Sequence, residues 1–134
     1  MSAAPDTSPA RGTGEPDFLD QAFALVDAMD LDGYVALYTD DGRFTFGNGP
    51  TAAGRDAVRA GLAGFYATIA GMRHELLDRW WPQPDVGITE ARVTYTRPDA
   101  TTVTLPVVTI YRLRGGQAAD VRVYMDVTPL FAAA

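Results

Sequence analysis

From Met72 to Val127 polar and apolar residues alternate with a period of two, so this half of the chain must form strands. Three clusters of turn-forming residues interrupt the alternation: Pro82/Pro84/Asp85, Pro98/Asp99 and Gly115-Gly116. They divide it into four strands, Met72–Trp81, Val86–Arg97, Thr102–Arg114 and Ala118–Val127, joined by hairpins into an antiparallel meander. Pro106 lies inside the third strand and has no N–H to donate, which predicts a bulge or an unpaired position.

The first half follows a different period. Residues 1–16, rich in small residues, Pro and Gly, predict a flexible leader before a single domain over 17–134. Asp17 is an N-cap type, and Phe18, Ala22, Leu25, Val26 and Met29 then recur at helical spacing. A short second helix carries Tyr34, Val35, Leu37 and Tyr38, and Asp40-Asp41-Gly42 reads as a turn before a strand at Arg43–Phe46. The third helix is predicted from about Gly54 to Ile69. Three helices followed by a long meander pack only if the sheet curls around them. The predicted fold is therefore α+β, a cone-shaped curved antiparallel sheet around three helices.

Missing residue types narrow the chemistry. The 134 residues hold no Cys and no Lys, which excludes thiolate nucleophiles, Schiff bases and P-loops. Both serines, Ser2 and Ser8, fall in the leader, so a serine hydrolase lacks its nucleophile. His74 is the only histidine, which disfavours a two-histidine metal site, and no metal or cofactor is expected. Seventeen acidic against 11 basic residues leave a net charge of −6, ill matched to nucleic acid or an anionic membrane. No apolar run approaches the roughly 20 residues that span a bilayer. With no signal-peptide pattern either, a cytoplasmic location is expected.

Strand parity decides which side chains face the hollow, because a one-residue slip exchanges the two faces. On the first long strand Arg73, Glu75 and Arg79 go outside, which sends His74 and Trp80 inside. On the second, Ala91, Val93 and Tyr95 look internal. The last strand has two solutions. Either Val121, Val123, Met125 and Val127 form the core and Asp126 is a surface charge, or Arg122, Tyr124 and Asp126 line a cavity while the valine face meets a partner subunit.

Met72-Arg73-His74-Glu75, Thr94-Tyr95-Thr96-Arg97, Leu105-Pro106-Val107-Val108 and the segment from Arg122 through Tyr124 and Asp126 to Leu130 resemble the nuclear transport factor 2-like superfamily. Its SnoaL-like branch of polyketide cyclases is the nearest match, over about residues 17–131. The resemblance implies a cone with a deep pocket, and a homodimer formed through the outer face of the sheet. Such a dimer supplies the partner that the second solution requires, and so favours Asp126 facing inward. It also implies that Asp126, at the position of the cyclases' final-strand aspartate, is the general acid/base. Phe46-x-Asn48 resembles the Tyr-x-Asn of limonene-epoxide hydrolases, but Ala91 and Val93 stand where those enzymes carry an Arg-x-Asp pair.

A carboxyl group in an apolar pocket is expected to have a raised pKa, suiting it to proton transfer near neutrality. His74 and Tyr124 join Asp126 as expected catalytic residues, with Tyr38, Phe46, Asn48, Phe65, Trp80 and Tyr95 around the substrate. The expected function is that of a cofactor-independent isomerase, cyclase or lyase on a small hydrophobic carbonyl compound, polyketide-like by analogy. The alternatives are a non-catalytic ligand-binding or dimerisation module, and an epoxide-hydrolase-like enzyme.

Overall fold

The computed structural model describes residues 17–132; the expected leader lies outside them. Helices α1 (Phe18–Asp27) and α2 (Leu31–Val35) lead into strand β1 (Tyr38–Phe46) and the short β2 (Thr51–Ala53). Helix α3 (Arg55–Tyr66) precedes β3 (Gly71–Gln83), β4 (Val86–Thr96), β5 (Thr102–Arg114) and β6 (Gln117–Tyr124), and the chain closes with α4 (Thr128–Phe131). Asp17 caps α1 as expected, its carboxylate accepting the Leu19 N–H at 2.9 Å.

The four long strands pair antiparallel in sequence order, within a six-stranded sheet ordered β2-β1-β6-β5-β4-β3. The sheet is mixed, not purely antiparallel: β1 runs parallel to β6, with Phe44 opposite Val121 and Phe46 opposite Val123. Asp40-Asp41-Gly42 is not a turn before the strand but an irregularity inside it, where the register shifts between Tyr38 and Arg43. Gly42 is required there, since a Cβ would lie 2.8 Å from the Tyr38 ring and 2.9 Å from the Ala118 carbonyl oxygen. Pro106 pairs with Arg92 on one side, while β6 pairs with β5 only from Val108 onward, so Pro106 is unpaired on the other.

Two apolar clusters fill the concave face. The first joins the helices to the middle of the sheet through Leu19, Tyr34, Tyr38, Val58, Tyr111 and Val121. The second, at the far end, contains Ile69, Ala91, Val93, Tyr95, Val107 and Leu130. Arg97 closes that end, donating to the carbonyls of Leu130 and Pro129 at 3.0 Å each and so tying α4 across it. No helix among the described residues is long and apolar enough to cross a membrane.

Candidate active site

Between the two clusters lies a cavity of about 320 Å³. Its walls are apolar: Phe23 and Val26 from α1, Phe44 and Phe46 from β1, Leu62 and Phe65 from α3, and Val123 and Met125 at the end of the sheet. The exposed Gly49, Pro50 and Gly61 border it on the solvent side. The polar groups facing it are His74, Thr109 and the phenols of Tyr34, Tyr66, Tyr95 and Tyr111.

His74 is the one ionisable side chain other than tyrosine among the lining residues, and it is tightly held. Its ring Nδ1 lies 2.7 Å from Asp27 Oδ1 at the C-terminal end of α1. The same carboxylate accepts the main-chain N–H of His74, at 3.0 Å to Oδ2. β3 is a sheet edge, so α1 both covers an otherwise open backbone donor and fixes the imidazole. With Nδ1–H given to Asp27, Nε2 is the ring nitrogen left free. Phe23 packs on the ring at a centroid distance of 4.9 Å, and the imidazole side chain is only 11% exposed.

A second polar feature is a nest of phenols. The Tyr34 hydroxyl lies 2.9 Å from that of Tyr38 and 3.3 Å from that of Tyr111. Burial pushes all three well above the ordinary phenol range, with neighbouring phenols adding to the shift. Tyr66 is pushed up to about 12, first by burial and then by the negative charges of Asp27 and Asp30. Burial also raises Tyr95, whose hydroxyl donates to the Met125 sulfur at 3.7 Å. These groups therefore remain hydroxyls at neutral pH.

The structure separates the residues expected to share the site. His74, Phe46, Phe65 and Tyr95 line the cavity. Tyr38 is fully buried behind Tyr34, and Asn48 is exposed in the turn next to the lining Gly49. Asp126 and Tyr124 are on the outside, Tyr124 being 51% exposed. The expectation that the final strand turns its polar face inward is thus corrected. Val121, Val123 and Met125 pack against the concave interior, so the apolar face needs no partner subunit to cover it. Asp126 instead organises the turn into α4, and hydrogen bonds from the Thr128 hydroxyl and main-chain N–H lower its pKa. The expected rise does not occur.

Trp80 is also corrected to the outer face, at 45% exposure. The register of β3 against β4 shifts between Leu76 and Asp78, so one extra residue reverses the parity of Asp78, Arg79 and Trp80. Trp81 takes the inward position under α1, its Nε1 donating to Asp17 at 3.2 Å. Parity counted from His74 carries no sign of this bulge. Asp27, Tyr66 and Tyr111 are site residues the sequence reading missed. Asp27 stands one turn after Phe23 on the α1 face that meets β3, and that i, i+4 spacing was the available signal.

The sequence matches the SnoaL-like domain family over residues 19–121. No curated protein matches it. Among solved structures, an NTF2-like protein of unknown function from Burkholderia pseudomallei K96243 superposes with a TM-score of 0.76 at 21% identity, over 85% of this chain and 92% of that one. A protein from Jannaschia sp. CCS1, provisionally assigned as a SnoaL-like polyketide cyclase, gives 0.71 at 20% identity over 94% of both chains. TerC, co-crystallised with polyporic acid, gives 0.74 at 21% identity over 85% and 92%. By sequence match and by architecture, the chain belongs to the SnoaL-like domain family and has the nuclear transport factor 2-like fold.

Proposed function

We propose that the protein is a cofactor-independent enzyme that moves a proton on a small hydrophobic carbonyl compound held in the cavity, with His74 as the base. The observation that carries this reading is the Asp27–His74 pair, which leaves Nε2 free in a cavity whose other walls are nearly all apolar. Nε2 takes a proton from the carbon beside the carbonyl, and the C–H electron pair moves into an enolate. Returning the proton elsewhere gives isomerisation, attack of the enolate on a second carbonyl gives cyclisation, and expulsion of a leaving group gives elimination. Asp27 is a positioning residue, setting the tautomer and stabilising the imidazolium that forms. Solved relatives of the same fold include provisionally assigned polyketide cyclases and a protein crystallised with polyporic acid, which agrees with a small-molecule site.

The test is deuterium uptake from heavy water into the methyl group of 2-acetylnaphthalene, followed by mass spectrometry. Catalysed uptake that falls by at least about 100-fold in His74→Gln supports the reading. No uptake above buffer, or equal uptake in the variant, rejects it and leaves the second reading, a non-catalytic binding module, which the scarcity of charge in the cavity favours. A hydrolase of the epoxide type would place labelled oxygen from water in its product.

We also propose a homodimer through the outer face of the sheet. Trp80 pairs across β3 and β4 with Ile88, which pairs with Ile110, and the next row brings Val108 beside Tyr124. Trp80, Val108 and Tyr124 are exposed, and this apolar patch is flanked by Asp78 and Glu90 on one side and, on the other, by Arg112 and Arg122, whose two positive charges are only half offset by Asp120 between them. A two-fold axis through the patch would set each acidic flank against a basic one.

A further inference from the structure

We infer that the cavity selects an uncharged one- or two-ring compound with a single oxygen acceptor, and that Tyr66 is the residue that reads that oxygen. The inference rests on the cavity being the working site and goes further by assigning its ligand class.

Hydroxyl counting carries the argument. Tyr34, Tyr38 and Tyr111 own three hydroxyl protons and share two hydrogen bonds, so one proton has no acceptor within the group. Tyr66 also lines the cavity, and its buried hydroxyl has no hydrogen-bond partner among the described residues. Tyr66 is therefore an unspent buried donor beside an apolar chamber, and the spare proton of the phenol group adds a second when Tyr34 or Tyr111, which line the chamber, carries it, an expensive arrangement for a protein with nothing to put there. A carbonyl oxygen seated at this end would accept from them.

Charge decides the rest. Among the described residues no arginine lines the cavity, and the carboxylate of Asp27 already offsets any positive charge on His74. The fields of Asp27 and Asp30 reach the Tyr66 hydroxyl and oppose negative charge there. A carboxylate ligand would be buried without a counterion, so a neutral acceptor is preferred. The volume of about 320 Å³ sits at the small end of the range of roughly 300–1,000 Å³ for ligand sites, which suits one or two rings.

Three naphthalenes of similar size test this by calorimetric titration: 2-acetylnaphthalene, 2-ethylnaphthalene and 2-naphthoate. The expected order is ketone tighter than hydrocarbon by about fivefold, with the anion weakest. Tyr66→Phe should bring ketone and hydrocarbon within about twofold of each other while leaving hydrocarbon affinity unchanged, a split that a merely structural role would not produce. It should fold normally, since the lost hydroxyl has no partner among the described residues, and its thermal midpoint checks this. Equal affinity for ketone and hydrocarbon in the wild type, an unchanged preference in Tyr66→Phe, or tightest binding of the anion would overturn the inference. If the ketone preference depends on Tyr66 but no deuterium uptake is found, this inference stands and the catalytic reading falls. If none of the three compounds binds, both fall.

Discussion

One carboxylate, that of Asp27, takes both the backbone N–H and the ring Nδ1–H of His74, at 3.0 and 2.7 Å. Helix α1 and edge strand β3 are thereby locked together at the contact that orients the proposed base. Asp27→Asn replaces one acceptor oxygen by a donor, which disfavours the tautomer with Nε2 bare. Deuterium uptake should fall by at least about tenfold while the affinity for 2-acetylnaphthalene changes less than twofold. Asp27→Ala also strands the His74 N–H, and urea unfolding should show a loss of about 1–3 kcal/mol.

Asp126 is predicted to matter for neither turnover nor ligand affinity, because it lies on the exterior. Its effect is on acid stability. Its folded-state pKa is depressed by the Thr128 hydrogen bonds, so its contribution is present above the ordinary aspartate range and is lost as pH falls through the lower folded value. In Asp126→Asn the decline of stability with acid should be shallower below about pH 4. Loss of turnover in this variant would restore the carboxylate to the mechanism.

The buried phenols predict alkaline behaviour. Tyr34, Tyr38, Tyr66, Tyr95 and Tyr111 all have raised folded-state values. The folded chain holds these protons more tightly than the unfolded one, so the stabilisation is complete below the ordinary phenol value of about 10 and is lost as pH rises beyond it. Tyrosinate absorbance from these five should appear together with loss of helical circular dichroism. A reversible titration of all five near pH 10 in a folded protein would contradict the packing described.

Much of this was legible in the sequence. The period-two half and its turns define β3 to β6 closely, and Pro106 falls where it can be tolerated. His74 and Tyr95 emerge from strand parity as inward residues, and Phe46 and Phe65, expected around the substrate, line the cavity with them. What stayed hidden depends on contacts distant in sequence. The parallel pairing of β1 with β6 joins segments about 80 residues apart, and Asp40-Asp41-Gly42 looks locally like a turn. The bulge after Leu76 costs a single register step, yet it exchanges Trp80 for Trp81. For the final strand, alternation left two orientations open, and the resemblance to cyclases argued for the one that is not seen.

The proposed dimer predicts that Trp80→Arg, on the exposed outer face, converts the protein from dimer to monomer in analytical ultracentrifugation. A monomeric wild type would leave the outer face without the partner assigned to it.

The central claim is that a ligand meets the free nitrogen of His74. His74 is the only histidine in the chain, so imidazole nitrogen NMR on uniformly labelled protein reports on it without ambiguity. Nδ1 should carry a proton, given to Asp27, and saturating 2-acetylnaphthalene should move the Nε2 signal while Nδ1 stays nearly fixed. An Nδ1 without its proton, a ligand response confined to Nδ1, or an Nε2 signal indifferent to a bound ketone would contradict the account.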